Sequence, residues 1–147
     1  MAKNKHNSKV GSIVDRSDDR IKETGEVFTP MKLVYEMIAE IPVKTMKDKS
    51  KTFLDNSCGC GNFLIGIYNT LTKEYNHTHD EAINRLYGVD LMIDNVKETC
   101  KNLNVEFGHP HFVCADGLKY DYNFDGTVIW KAESEEDIKY GCATIEF

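Results

Sequence analysis

The sequence is poor in proline and has neither a long apolar segment nor a paired cysteine motif. Its 147 residues include three prolines, and the longest apolar run, residues 63–68, is interrupted by a glycine. A membrane-spanning helix needs about 20 apolar residues, so none is predicted. The basic N-terminal residues are not followed by the apolar core of a signal peptide. We therefore expect a cytoplasmic protein with no membrane partner.

Metal and disulfide sites find little support in the sequence. The five cysteines form no Cys-x-x-Cys pair, which disfavours a disulfide framework and a tetrahedral zinc site. Two His-x-His pairs, at 77–79 and 109–111, are interpreted as solvated loop histidines. We expect no bound metal.

Charge is unevenly distributed along the chain. Residues 1–52 hold 11 basic and 8 acidic residues, whereas residues 53–147 hold 7 and 16. Duplex DNA is a polyanion that attracts basic surfaces, so the larger, acidic part of the chain disfavours it. Contact with DNA is expected only through the N-terminal part or with a partner subunit.

Patterning divides the chain into two regions. Residues 1–25 are polar, with almost no periodic apolar signal, and are interpreted as an irregular N-terminal arm; residues 26–147 are interpreted as one domain. Thr29 can cap a helix and Pro30 suits its first position, so an amphipathic helix is predicted over residues 30–40. A proline ends this helix, and a lysine-rich surface stretch comes after it.

Strands alternate with helices through the middle of the chain. The predicted buried strands are 52–55, 86–90 and 111–115, and the predicted helices between them are 63–75 and 92–103. This alternation is typical of an α/β fold with a parallel sheet flanked by helices.

A short β tail is predicted after the third strand. Asp125-Gly126 signals a tight turn, so residues 120–124 and 128–130 are expected to form a hairpin, and residues 140–147 a last strand. The sheet is small, and we expect its open edge to accept a second copy or a partner subunit.

A glycine-rich turn joins the first predicted strand to the next helix. In Asp55-Asn56-Ser57-Cys58-Gly59-Cys60-Gly61-Asn62-Phe63 the two glycines permit positive φ and let a ligand approach the main chain. The turn lacks the lysine of a P-loop and the third glycine of the dinucleotide fingerprint. A tight strand-to-helix connection that binds nothing is the alternative.

An acid ends each predicted strand: Asp55, Asp90 and Asp116. In a doubly wound sheet the strand ends meet at one edge, where ligands bind. Three carboxylates suit a cation better than a phosphate, and S-adenosylmethionine offers a sulfonium, an ammonium, a ribose diol and an adenine amine. Asp90 is expected to bind the ribose, Asp116 the adenine amine and Asp55 the methionine end. Taken singly, Asp90 is more ordinarily a helix cap and Asp116 a turn residue.

Two segments together resemble a known family. Gly25-Glu26-Val27-Phe28-Thr29-Pro30, followed by the glycine-rich run, resembles the opening of adenine-specific DNA methyltransferases, including restriction-modification modification subunits. The resemblance implies a partial Rossmann-like methyltransferase fold with S-adenosylmethionine as cofactor. The cofactor-binding residues that it implies are Phe28, Thr29, Pro30, Asp55, Cys58, Gly59, Gly61, Phe63, Asp90 and Asp116.

The resemblance stops before the catalytic segment. Members of the family follow the third acid with F-D-x-I-x-x-N-P-P-[YF], which holds the target base. Here Phe124-Asp125-Gly126-Thr127-Val128-Ile129 is followed by Trp130-Lys131-Ala132-Glu133, and the sequence contains no Asn-Pro-Pro. We assign no catalytic residue.

These features predict an S-adenosylmethionine-binding domain that is inactive alone or belongs to a split or oligomeric DNA methyltransferase. The alternative is a non-catalytic interaction, regulatory or anti-restriction protein that keeps the fold with an empty pocket. A small-molecule methyltransferase ranks lower, because the motifs before the break are of the DNA type.

Overall fold

The computed structural model describes residues 18–24, 26–127, 129–131 and 144–146. Most of the predicted arm, residues 1–17 and 25, lies outside them. The helices are α1 Asp18–Thr24, α2 Met31–Ala39, α3 Val43–Lys47, α4 Asn62–Lys73, α5 His79–Ile83 and α6 Ile93–Asn102, and the strands are β1 Phe53–Asp55, β2 Leu86–Asp90, β3 Phe112–Cys114, β4 Ile129–Lys131 and β5 Thr144–Glu146. None of these helices is long and apolar enough to cross a membrane.

Three parallel strands form the central sheet in the order β1-β2-β3. Phe53 pairs in register with Leu86, and Val89 with Val113. Helices α4 and α5 connect β1 to β2, and α6 connects β2 to β3. The predicted partial Rossmann-like α/β class is confirmed. The predicted burial of the first strand is wrong for Leu54, which is 54% exposed, because successive side chains of a strand point to opposite faces and it is Phe53 that packs against the main core.

The main core lies between the sheet and the helices, and α4 is its centre. Leu64 and Leu71 of α4 are fully buried. A Cβ at Gly88 of β2 would lie 2.7 Å from Leu64 Cδ1, and a Cβ at Gly66 of α4 would lie 2.7 Å from Val34 Cγ1 of α2. These separations are below van der Waals contact, so the two glycines allow β2 and α2 to pack closely against α4.

Two local predictions in the N-terminal part are wrong. Asp18–Thr24 is helical rather than irregular. Pro30 is the N-cap of α2 rather than its first residue, and no side chain caps that helix, so Thr29 has no capping role. The lysines of the next stretch are exposed, as predicted, but the stretch also contains α3, which begins after Pro42 and buries Met46.

The hairpin predicted around Asp125-Gly126 is also wrong. Residues 120–127 contain no strand. Tyr120 instead packs against Val89 and Val113, and its hydroxyl accepts a hydrogen bond from the Phe124 N–H at 2.8 Å. β4 pairs antiparallel with β5 in a separate two-stranded sheet, which confirms the short β tail.

A buried arginine ties the chain before β1 to the chain before β2. Arg85 is 2% exposed, and its guanidinium donates to the carbonyl oxygens of Thr45, Met46 and Lys51 at 2.7–2.9 Å. Its Nη1 also lies 2.9 Å from Nε2 of His77. Because His77 is only 6% exposed, its interpretation as a solvated loop histidine is wrong.

Replacing Arg85 with methionine should lower the free energy of unfolding by at least about 2 kcal/mol, because three carbonyl groups lose a charged donor. Urea denaturation followed by circular dichroism measures the change. Lys73→Met, at an exposed position near the end of α4, is the control and should change stability by no more than about 0.5 kcal/mol. Equal stability of R85M and wild type would contradict a structural role for this contact.

Candidate cofactor-binding site

The glycine turn, residues 56–61, is bonded to the sheet and to itself. The Cys58 N–H donates to the Val89 carbonyl at 2.9 Å, and the Gly61 N–H donates to the Cys58 carbonyl at 2.8 Å. Gly59 and Gly61 have φ of +53° and +87°, in the left-handed region that side chains disfavour. A Cβ at Gly59 would also lie 3.1 Å from Phe28 Cε1. The positive φ predicted for the two glycines is therefore confirmed.

Asp90 faces the glycine turn. Its Oδ2 accepts the Gly59 N–H at 2.8 Å, and its Oδ1 accepts the Met92 N–H at 2.9 Å and the Asn95 Nδ2 at 3.1 Å. The carboxylate therefore holds the turn and also binds the main chain of Met92, the N-cap of α6; Asp90 is not itself the helix cap. Oδ2 accepts one of these bonds, and a carboxylate oxygen can accept two.

The segment that precedes α2 lies against the same turn. The Phe28 ring is the neighbour that a Cβ at Gly59 would meet. The Asn62 Nδ2, at the start of α4, donates to the Thr29 carbonyl at 2.9 Å. Phe28 and Thr29 are thus brought to the turn, whereas the Pro30 side chain is exposed.

The end of β3 is adjacent to the end of β2. The Ala115 N–H donates to the Asp90 carbonyl at 2.9 Å. The next residue, Asp116, accepts the Leu118 N–H on Oδ1 at 2.9 Å, in agreement with its interpretation as a turn residue. Its Oδ2 lies 3.6 Å from Lys119 Nζ. Asp116 is more exposed than Asp90 and lies at the same edge of the sheet.

Two of the predicted cofactor residues have side chains in the core. Cys58 is 7% exposed and belongs to the main apolar cluster, against which Phe63 packs. Burial raises the pKa of the Cys58 thiol well above its usual value, and the charges of Asp90 and Asp55 raise it further. These two side chains support the turn from the core side, and a direct contact of either with a ligand stays a prediction.

A family model described as N-6 DNA Methylase matches residues 13–121. The chain belongs to the N-6 DNA methylase family. The match includes all three strands of the parallel sheet and both segments that carried the resemblance, so the predicted family is confirmed. Members of this family typically use S-adenosylmethionine. No curated protein matches the chain.

The candidate site concentrates negative charge, on the half-buried Asp55 and the buried Asp90. Burial raises the pKa of Asp55, and the nearby Asp90 carboxylate raises it further against a hydrogen bond from Ser57. Burial also raises the pKa of Asp90; its three hydrogen bonds oppose this shift, and the Glu26 carboxylate adds to it. A cationic ligand would favour the ionised forms. This charge fits S-adenosylmethionine, a cation without phosphate; in the glycine turn beside it, Gly59 is half-buried and Gly61 is buried.

Two polar residues of α6 that reach the candidate site are absent from the residues predicted from the sequence. The Asn95 amide donates to both Asp90 and Glu26, and Thr99 Oγ1 donates to the Gly59 carbonyl at 3.1 Å. Asn95 is 1% exposed and Thr99 is fully buried. The available signal was their position: both border the apolar face that predicted this helix.

Asp55→Asn should stabilise the methylase fold at neutral pH. Because its pKa is raised, folded Asp55 binds a proton more readily than unfolded Asp55, so its ionisation lowers stability as the pH rises above the ordinary Asp range. Asparagine removes the charge and keeps the acceptor that binds the Ser57 N–H. In urea denaturation we expect D55N to be more stable than wild type by about 0.2–1 kcal/mol near pH 7.5, with a smaller difference near pH 4.5.

Asp125→Asn is the control of opposite sign. Hydrogen bonds from Thr127 hold the pKa of Asp125 below its usual value, so loss of this charge should lower stability slightly at neutral pH. If wild type were more stable than D55N near pH 7.5, the electrostatic interpretation of Asp55 would be contradicted.

Proposed function

We propose that this chain binds S-adenosylmethionine as the cofactor domain of a DNA adenine methyltransferase, and that these 147 residues alone transfer little or no methyl. The observation that carries the proposal is the contact of the buried Asp90 carboxylate with the Gly59 N–H. It brings an acid and the glycine turn to one rim, beside Asp55 and next to the end of β3.

Each part of the cofactor has a partner on this rim. Asp90, through Oδ2, would accept from a ribose hydroxyl, and Asp116 from the adenine amine. Asp55 and the main chain of Gly59 and Gly61 would hold the methionine end, with the segment that contains Phe28 beside it. When bound, S-adenosylmethionine supplies a methyl group on a positively charged sulfur, which makes it open to displacement by an amine.

The low activity proposed for the chain alone rests on the sequence after residue 123. Methyl transfer needs the amine held in line with the methyl, and such positioning contributes about 7 to 11 kcal/mol. The sequence has Trp130-Lys131-Ala132-Glu133 where the family has its Asn-Pro-Pro segment. We propose that a partner chain, joined at the open sheet edge, supplies this segment and the contact with DNA.

Cofactor binding can be measured by isothermal titration calorimetry. Wild type should bind S-adenosylmethionine, and Asp90→Asn and Asp116→Asn should each weaken binding by about tenfold or more, because each loses a charged acceptor. D116N tests the rim with little effect on folding, since asparagine can still accept the Leu118 N–H. Asp80→Asn, which removes an exposed charge in α5, is the matched control and should bind as wild type does.

A second function is favoured by the hydrogen bonds that Asp90 already makes. Three protein donors bind the two carboxylate oxygens of Asp90, so its hydrogen bonds do not depend on a ligand. This is what we would expect of an interaction, regulatory or anti-restriction protein that keeps the fold with an empty pocket. The test uses about 1 mM cofactor, far above the usual affinity range of specific sites. If this concentration gives neither heat of binding nor a thermal shift, the result favours this second function and overturns the proposed cofactor binding.

Transfer itself is tested with methyl-labelled cofactor and mixed DNA. We expect no label in DNA with the purified chain, because nothing positions the base, and incorporation above the lysate background when host lysate is added to the chain. A parallel reaction with Asp116→Asn controls for methyltransferases of the lysate. Label in DNA with the purified chain alone would contradict the proposed need for a partner.

A further inference from the structure

Helix α6 carries a row of polar side chains toward the glycine turn. Asn95, Thr99 and Asn102, called here the α6 polar row, are spaced by four and three residues and therefore share one helix face. Asn95 is 1% exposed and Thr99 is fully buried. Buried polar groups are retained where they make hydrogen bonds, so the partners of this row are informative.

Each member of the row holds part of the turn. Thr99 Oγ1 donates to the Gly59 carbonyl at 3.1 Å, and Asn102 Nδ2 lies 3.4 Å from the Cys60 carbonyl. Asn95 acts through Asp90, whose other oxygen accepts the Gly59 N–H. Both main-chain groups of Gly59 are thus fixed from α6, one directly and one through a carboxylate.

Thr99 also fills the space beside the second glycine. A Cβ at Gly61 would lie 2.8 Å from Thr99 Oγ1 and 2.9 Å from Thr99 Cγ2. Glycine has little conformational preference of its own, so the left-handed geometry at residues 59 and 61 depends on contacts from outside the turn. Thr99 is thus hydrogen-bonded to Gly59 and lies beside Gly61.

We propose that Thr99 is a positioning residue that holds the glycine turn in the conformation that binds the cofactor. Its hydroxyl lowers the population of open turns, and a ligand binds in proportion to the fraction of molecules with the turn already closed. The part of the inference that concerns affinity rests on the proposed function, whereas the part that concerns the closed turn does not.

The chain contains a matched control for this role. Thr70 Oγ1 donates to the Gly66 carbonyl at 2.9 Å inside α4 and is 8% exposed. It is therefore another buried threonine hydroxyl bonded to a glycine carbonyl, but it lies in a helix interior. Thr99→Val and Thr70→Val remove the same atom from similar surroundings, and Thr99→Ser retains the donor.

Turn opening can be measured without cofactor through Cys58 and Cys60, which are 7% and 1% exposed on either side of Gly59. Alkylation by iodoacetamide, resolved by peptide mass spectrometry, reports how often these thiols become accessible. We expect Thr99→Val to speed their labelling about tenfold, as the loss of one hydrogen bond implies, with Cys114 of β3 unchanged. Thr99→Ser and Thr70→Val should stay within about twofold of wild type.

If alkylation of Cys58, Cys60 and Cys114 were accelerated equally, T99V would be generally destabilised and the inference would be overturned. Alkylation of T99V at the wild-type rate would also overturn it. If Thr99→Val does not fold, Thr99→Ala removes the same hydroxyl without branching and carries the same expectations.

Calorimetric titration with S-adenosylmethionine completes the test. Thr99→Val should raise the dissociation constant by the same factor by which it lowers the closed-turn fraction, up to about tenfold, whereas Thr70→Val should leave the constant unchanged even where its thermal stability falls as much. Unchanged affinity in T99V would overturn the positioning role. If wild type itself does not bind, the proposed function fails, and selective labelling in T99V would still support Thr99 as the residue that closes the turn.

Discussion

The hydrogen bond between the Gly59 N–H and Asp90 organises the site, because it joins the glycine turn that follows β1 to the end of β2, 31 residues later in the sequence. It requires a left-handed backbone on one side and a buried carboxylate on the other. A buried carboxylate is unfavourable unless it is well hydrogen-bonded, and the donors at Met92 and Asn95 meet that requirement. The same arrangement leaves negative charge at the rim of the sheet, where a cation can neutralise it.

The parts of the fold that could be predicted are those governed by local periodicity. The bounds of β2 were predicted as observed, and the helix after the glycine turn was correct to within two residues at each end. The meeting of Asp90 with the turn followed from topology, since parallel strands end at one edge. Helix α5 was missed although its capping box, Thr78 and Glu81, is readable in the sequence.

The contacts that could not be predicted are those that depend on how helices lie on the sheet. Thr99 reaches a carbonyl 40 residues away, and Arg85 reaches carbonyls 34 to 40 residues away. Nothing in their local sequence specifies the partner, because the partner is a main-chain group that carries no side-chain identity. Binding a cofactor and holding a target base are likewise separate demands, and the function proposed for the residues at this rim concerns only the first.

The close packing of α2 against α4 at Gly66 has a mechanical consequence. Helix α2 begins immediately after the segment that contains Phe28, and α4 begins immediately after the glycine turn. The two walls of the candidate site are therefore the leading ends of two helices in direct contact, in an interface too tight for even a methyl group at position 66. The width of the opening between those walls is set by the hydrophobic interior, so loops that would touch a ligand acquire the rigidity of the core beneath them.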